Sequence, residues 1–173
     1  VKISISIVIS FVLFSSAAAK ASELSLMKEG YLKVYSIIEF METNKGIENL
    51  CVANSQDKKR FSVYSTWQDT NNELLSKVFK IKSAYESKLV SIAGDQANQL
   101  LSKHRDTVMS KVNKTLAPFQ AGSRIRIANA CIKWRTAMND SLSSYRLKIR
   151  DDLQFFALED KNITRAINND ANW

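Results

Sequence analysis

Apolar positions recur at helical spacing along almost the whole chain. Met27, Tyr31, Val34, Ile38 and Met41 lie three or four residues apart, which puts them on one face of an α-helix. Ser22 is placed to cap this helix and Asn44-Lys45-Gly46 to stop it. Residues 47–57 then read as a polar connection that carries Cys51. From near Lys58 a second stripe runs through Tyr64, Trp67, Leu74, Val78, Ile81, Tyr85, Leu89 and Ile92. Asp69, Thr70, Asn71 and Asn72 interrupt it. Their short polar side chains compete with the backbone for hydrogen bonds, which predicts a bend or break there.

Gly94-Asp95 predicts a helix stop followed by a new N-cap. A third stripe follows: Ala97, Leu101, His104, Val108, Val112, Leu116 and Phe119. Pro118 and Gly122 end it, and Ser123 can cap a fourth helix. Ala128, Cys131, Met138, Leu142, Tyr145, Ile149, Leu153 and Phe156 form the last stripe, the longest of the four. Residues 161–173 read as a polar tail in which Ile163, Ile167 and Trp173 are available to dock.

This pattern predicts an all-α protein, an antiparallel bundle of about four helices spanning residues 22–160. The lengths are uneven. The third helix would reach about 33 Å, and unbroken second and fourth helices about 54 Å each. Breaking the second helix at 69–72 makes it match the third; the alternative is an elongated arm with its tip at Gly94. Composition supports the fold class. With 4 Gly and 1 Pro, the chain lacks the turn residues that a β-sandwich or barrel uses.

Residues 1–21 carry a different pattern. Lys2 precedes an apolar run, Ile3 to Phe14, and small residues follow from Ser15 to Ala21 apart from Lys20. That is the three-part layout of a secretory signal peptide, with cleavage after Ala19 or Ala21. The run is shorter than the about 20 residues a membrane-spanning helix needs, and no later stretch is apolar enough, so no integral membrane span is expected after cleavage. Val1 in place of Met reads as a bacterial alternative start. The expected location is the periplasm, or the exterior.

Two cysteines, Cys51 and Cys131, lie behind this leader. In an oxidising compartment an even count predicts one disulfide. The single His excludes most metal sites, which need three or four ligands, and no cofactor is expected. His104 lies on an apolar stripe and reads as a packed side chain. Asp151-Asp152 and Glu159-Asp160 point about 100° apart in a helix, so neither pair converges on a substrate.

Charge adds the last element. The chain has 25 Lys and Arg against 17 Asp and Glu, a formal net charge of +8. A Cys51–Cys131 bridge would gather Lys58, Lys59, Arg60, Arg124, Arg126, Lys133 and Arg135 near one pole. Such a pole attracts polyanions and acidic proteins. The function expected is that of an exported, non-catalytic helical protein acting by protein–protein interaction in the bacterial envelope, as a chaperone, inhibitor, immunity or adaptor protein with an acidic partner. The alternative is a binder of anionic envelope components or nucleic acid through the basic pole. Enzymatic activity is not expected.

Overall fold

The structure is a computed structural model. It describes the backbone of residues 4–169 and the side chains of 25–168 other than Met27 and Lys28. The side chains of the leader-like segment, Met27 and Trp173 lie outside the described residues. Helix α1 covers Ser4–Ala53, and a 3-10 turn, Lys58–Phe61, leads into α2, Val63–Thr70. Helix α3 covers Asn72–Gln120, α4 covers Arg124–Asn139 and α5 covers Ser144–Asn169. Among the described residues there is no strand, and no helix is long and apolar enough to cross a membrane.

Ring contacts and ion pairs set the direction of each segment. Trp67 meets Phe40 at 4.8 Å between ring centroids and Tyr85 meets Tyr31 at 5.8 Å, so residues 63–93 run antiparallel to α1. His104 packs on Tyr31 and Tyr35, and Lys111 reaches Glu39 at 3.3 Å, so residues 95–120 run parallel to α1. The chain therefore reverses at Gly94, where φ is 50° and ψ is −124°. Helices α4 and α5 return antiparallel to α1: Trp134 bonds Asn44, and Asp152 pairs with Lys33 at 3.0 Å. The result is an up–down–up–down bundle, as the pattern predicts.

Gly94 occupies a conformation that residues with a Cβ avoid. Nothing lies within 4 Å of the position a Cβ would take, so the strain is purely backbone. Gly94→Ala is expected to lose about 1–3 kcal/mol in urea unfolding, with no change in helical content. An unchanged midpoint would mean that the reversal does not depend on this conformation.

The core follows the stripes with local shifts: Ile37 and Leu75 are buried where the spacing predicts Ile38 and Leu74, which are half-buried, and Ile92 at the end of the second stripe is exposed. Leu75, Val78, Ile81 and Tyr85 from one half of α3, and Val108, Val112 and Leu116 from the other, close against Val34, Ile37 and Met41 of α1. Full burial of each such side chain contributes about 1.5–3 kcal/mol. Ile149, Leu153 and Phe156 of α5 complete the layer. Among the predicted boundaries, the break near 69–72, the reversal at Gly94 and the Ser123 cap are present; the Ser123 hydroxyl accepts from Arg126 N–H at 3.4 Å.

Several expectations are corrected. Ser22 lies inside α1 rather than capping it, and Asn44-Lys45-Gly46 does not stop α1, which continues to Ala53 and carries Cys51 within the helix. Gly46 serves a close approach instead: a Cβ there would lie 2.8 Å from Leu116 Cδ1. The last stripe is not one helix. Asp140 to Ser143 separate α4 from α5, the Asp140 carboxylate accepting Leu142 N–H at 2.9 Å, and Leu142 is 74% exposed. Ala128, also assigned to that stripe, is exposed. Finally, residues 161–169 continue α5 rather than forming a tail, because Ile163, Ala166 and Ile167 are buried, with Ile163 against Gly30.

His104 packs between Tyr31 and Tyr35, at 5.5 Å and 4.0 Å between centroids. Burial, and then the nearby Lys111 charge, hold its pKa below the ordinary 6.5. The unfolded chain therefore takes up this proton first. The His104 contribution to stability is complete above about pH 6.5 and declines as the pH falls below it. His104→Phe is expected to flatten that part of the stability–pH curve. An identical curve for the variant would place the dependence on other groups.

Candidate functional site

The pole of the bundle around the disulfide is assembled by long-range contacts. Cys51 and Cys131 are bonded with their Cα atoms 5.6 Å apart, which ties the end of α1 to the middle of α4. One turn before Cys51, the buried carboxylate of Glu48 receives the N–H groups of Tyr64 and Ser65 at 2.7 and 3.2 Å, and the Ser65 hydroxyl also donates to it. Glu48 thus caps α2 from another helix, at the end where backbone N–H groups lack partners and a negative charge is favourable. The connecting 3-10 turn is capped by Asp57 and anchored by buried Phe61. Lys59 and Arg60 are thereby held at the surface beside α2.

On the facing side, Asn44 fixes the rotation of α4. Its side-chain oxygen accepts from Trp134 Nε1 at 2.8 Å, and its amide donates to the Phe40 carbonyl and the Tyr145 hydroxyl, each at 2.6 Å. Burial pushes the Tyr145 hydroxyl pKa up to about 12. Arg135, the residue after Trp134, is placed by this anchor. Arg146 crosses the break between α4 and α5 and donates to the Met138 carbonyl, satisfying a C-terminal group of α4. Burial lowers the pKa of its guanidinium from the ordinary value, because desolvation penalises the charged form.

These parts border an open cleft of about 410 Å³. Lys59, Arg60, Arg135 and Arg146 line it, together with the hydroxyl residues Ser62, Thr66 and Thr70. Val63, Trp67 and Met138 supply apolar wall, and Asn71 and Asn139 supply amides. No carboxylate and no His is among the lining residues. None of the four cationic groups is in an ion pair among the described residues. The Nε of Arg135 is buried without a hydrogen-bond partner among them.

Of the seven basic residues singled out from sequence, Lys59, Arg60 and Arg135 meet in this cleft. Lys58 is exposed on the same 3-10 turn but does not line it. Arg124 and Arg126 lie in the first turn of α4, about 16 and 14 Å along the axis from Arg135. Lys133 is exposed, two residues from Arg135 and so about 200° around the helix. Arg146 joins the cleft and was not among the seven. The disulfide is therefore at the centre of a basic pole, but only part of that pole converges.

A second groove, of about 480 Å³, runs between α1, the second half of α3 and α5, with Tyr35, Phe40, His104 and Tyr145 along it. Lys111 and Glu39 pair across its rim. Among the described residues no group of three or more His, Cys, Asp and Glu is placed to hold a metal. No family model matches the chain, and neither does any curated protein or solved structure.

Proposed function

We propose that this chain is an exported, non-catalytic helical binding protein of the bacterial envelope, and that it acts by holding an anionic partner in the basic cleft at its disulfide pole. One observation carries the reading. Four cationic side chains from three separate segments line one cleft, none neutralised by an ion pair among the described residues and with no carboxylate in the wall. Like charges gathered in this way repel one another, and an anion relieves that repulsion. The Cys51–Cys131 bridge supports an oxidising compartment, and the pattern of residues 1–21 supports export to the periplasm or beyond it. Binding rather than catalysis fits a cleft whose lining lacks the His or carboxylate a general base would need. An acidic protein surface is the other partner class that the charge favours.

The test compares two pairs of reversals with the same change in net charge. Arg60→Glu/Arg135→Glu is expected to release the protein from immobilised heparin at much lower salt than wild type. Arg124→Glu/Arg126→Glu is expected to shift elution only slightly. Both variants are checked for helical content by circular dichroism. Equal loss in the two would mean that binding follows overall charge and that the cleft has no special part in it.

A further inference from the structure

The lining of the cleft also bears on the kind of anion it takes. We infer that it receives a phosphoryl group, a phosphomonoester carried on a small polar body, with the Arg135 guanidinium as its principal ligand. This rests on the reading of the cleft as an anion site and names its occupant.

Charge comes first. Lys59, Arg60, Arg135 and Arg146 bring four positive charges into one wall. A carboxylate returns one negative charge, whereas a phosphomonoester returns about 1.5 to 2 at pH 7. Donor number follows the same direction. The hydroxyls of Ser62, Thr66 and Thr70 already donate to the carbonyls of Lys58, Ser62 and Thr66. Three guanidinium groups and an ammonium offer more donors than the about four lone-pair sites of a carboxylate accept. The three terminal oxygens of a phosphoryl group use more of them. Geometry is the third argument. Guanidinium forks match phosphate edges with two parallel hydrogen bonds, which an ammonium does not reproduce.

Arg135 is singled out by its Nε. That N–H is shielded from solvent and bonds to nothing among the described residues, on a side chain that lines the cleft. A buried donor left without an acceptor is costly, and a phosphate oxygen reaches this one when the guanidinium turns toward the cleft, the movement that the titration below reads. Arg146 is committed in part to the Met138 carbonyl, and Lys59 and Arg60 are exposed at the rim. The cleft, at about 410 Å³, has room for more than the phosphoryl group itself. Trp67, Val63 and Met138 give the rest of the ligand an apolar wall, which suits the body of a sugar phosphate or a lipid headgroup.

The experiment uses the oxidised full chain and follows the arginine Nε–H resonances by NMR during titration with inorganic phosphate, glucose 6-phosphate and acetate. Vesicles of phosphatidylcholine with and without phosphatidic acid form a separate flotation arm. The Arg135 Nε–H signal is expected to move with phosphate and further with glucose 6-phosphate, at concentrations where acetate leaves it in place. Arg135→Lys keeps the charge and removes the fork. It is expected to weaken phosphoester binding, read in this variant on the Arg60 and Arg146 Nε–H signals, at least tenfold while heparin retention stays near wild type. Flotation that requires phosphatidic acid and falls in Arg135→Lys, without binding of the free esters, would assign the phosphoryl group to a lipid headgroup. Acetate binding as tightly as phosphate, or an Arg135→Lys protein that binds phosphoesters like wild type, would overturn the inference. The cleft would remain an anion site if Arg60→Glu/Arg135→Glu still abolished heparin retention. Loss of that dependence as well would remove both.

Discussion

Replacing both cysteines by alanine is expected to lower stability by about 2–4 kcal/mol and the thermal midpoint by roughly 5–15 °C. The bridge joins residues 80 positions apart, so cutting it frees a long loop in the unfolded chain. Both half-cystines are buried, and alanine avoids leaving an unpartnered hydroxyl in their place. The loss is expected to be felt first at the basic cleft. Lys59 and Arg60 follow the end of α1, while Arg135 lies four residues beyond Cys131, so the two halves of the wall are held together there covalently. Hydrogen exchange should rise in residues 50–70 and 128–140 before it rises in α3. Wild-type protein treated with a reductant should follow the same course. A midpoint unchanged in both cases would mean that packing alone holds the pole.

Asn44→Leu is the second large effect. The position is fully buried, and the amide serves three partners: the indole N–H of Trp134, the Phe40 carbonyl and the Tyr145 hydroxyl. Leucine keeps the branch at Cγ, with bulkier methyl ends, and removes all three bonds. The indole N–H is then left in a closed environment at a cost of about 1–3 kcal/mol. Tyr145 is only partly buried, and its hydroxyl can turn to water, so it adds less. A total of about 2–3 kcal/mol is expected in urea unfolding. Combining Asn44→Leu with Trp134→Phe isolates the pair. The double variant should lose less than the sum of the singles, since the phenylalanine ring has no N–H to leave unpaired. Strict additivity would show that the bond contributes nothing.

The same residue shows where sequence reading reaches its limit. Asn44 beside Gly46 resembles a helix end, because Asn and Gly favour the terminal conformation when the end faces solvent. Here the Asn44 amide is spent on partners 90 and 101 residues away, and Gly46 makes room for Leu116. Long-range contacts override a local stop signal, and nothing near residue 44 announces them. Glu48 is similar: its cap reaches α2 from α1, so no capping motif within α2 reveals it. The break at Asp140–Ser143 was legible in principle. The run Asn139-Asp140-Ser141 has the same short polar chemistry as 69–72, but the apolar spacing through Leu142 masked it, and Leu142 proves to be exposed. Arg146 follows that break and reaches back across it to the Met138 carbonyl, a placement that a single unbroken stripe does not indicate. By contrast, the disulfide, the reversal at Gly94 and the α3 stripe follow from rules that hold locally or from a count of two cysteines.

For the cleft itself, the sequence supplied Lys59, Arg60 and Arg135 through the disulfide argument, since a bridge from Cys51 to Cys131 brings their neighbourhoods together. It could not separate them from Arg124 and Arg126, because proximity to a cysteine along the chain does not fix which side of the helix, or which end, a residue occupies.

A crystal structure of the oxidised protein grown with tungstate, a dense mimic of phosphate, decides whether the cleft is an anion site. Tungstate is expected between the guanidinium groups of Arg60, Arg135 and Arg146, with Arg135 Nε–H donating to it. Tungstate held instead at Lys58, Arg124, Arg126 or Lys133, with the cleft cations turned apart or paired with carboxylates, would contradict that reading.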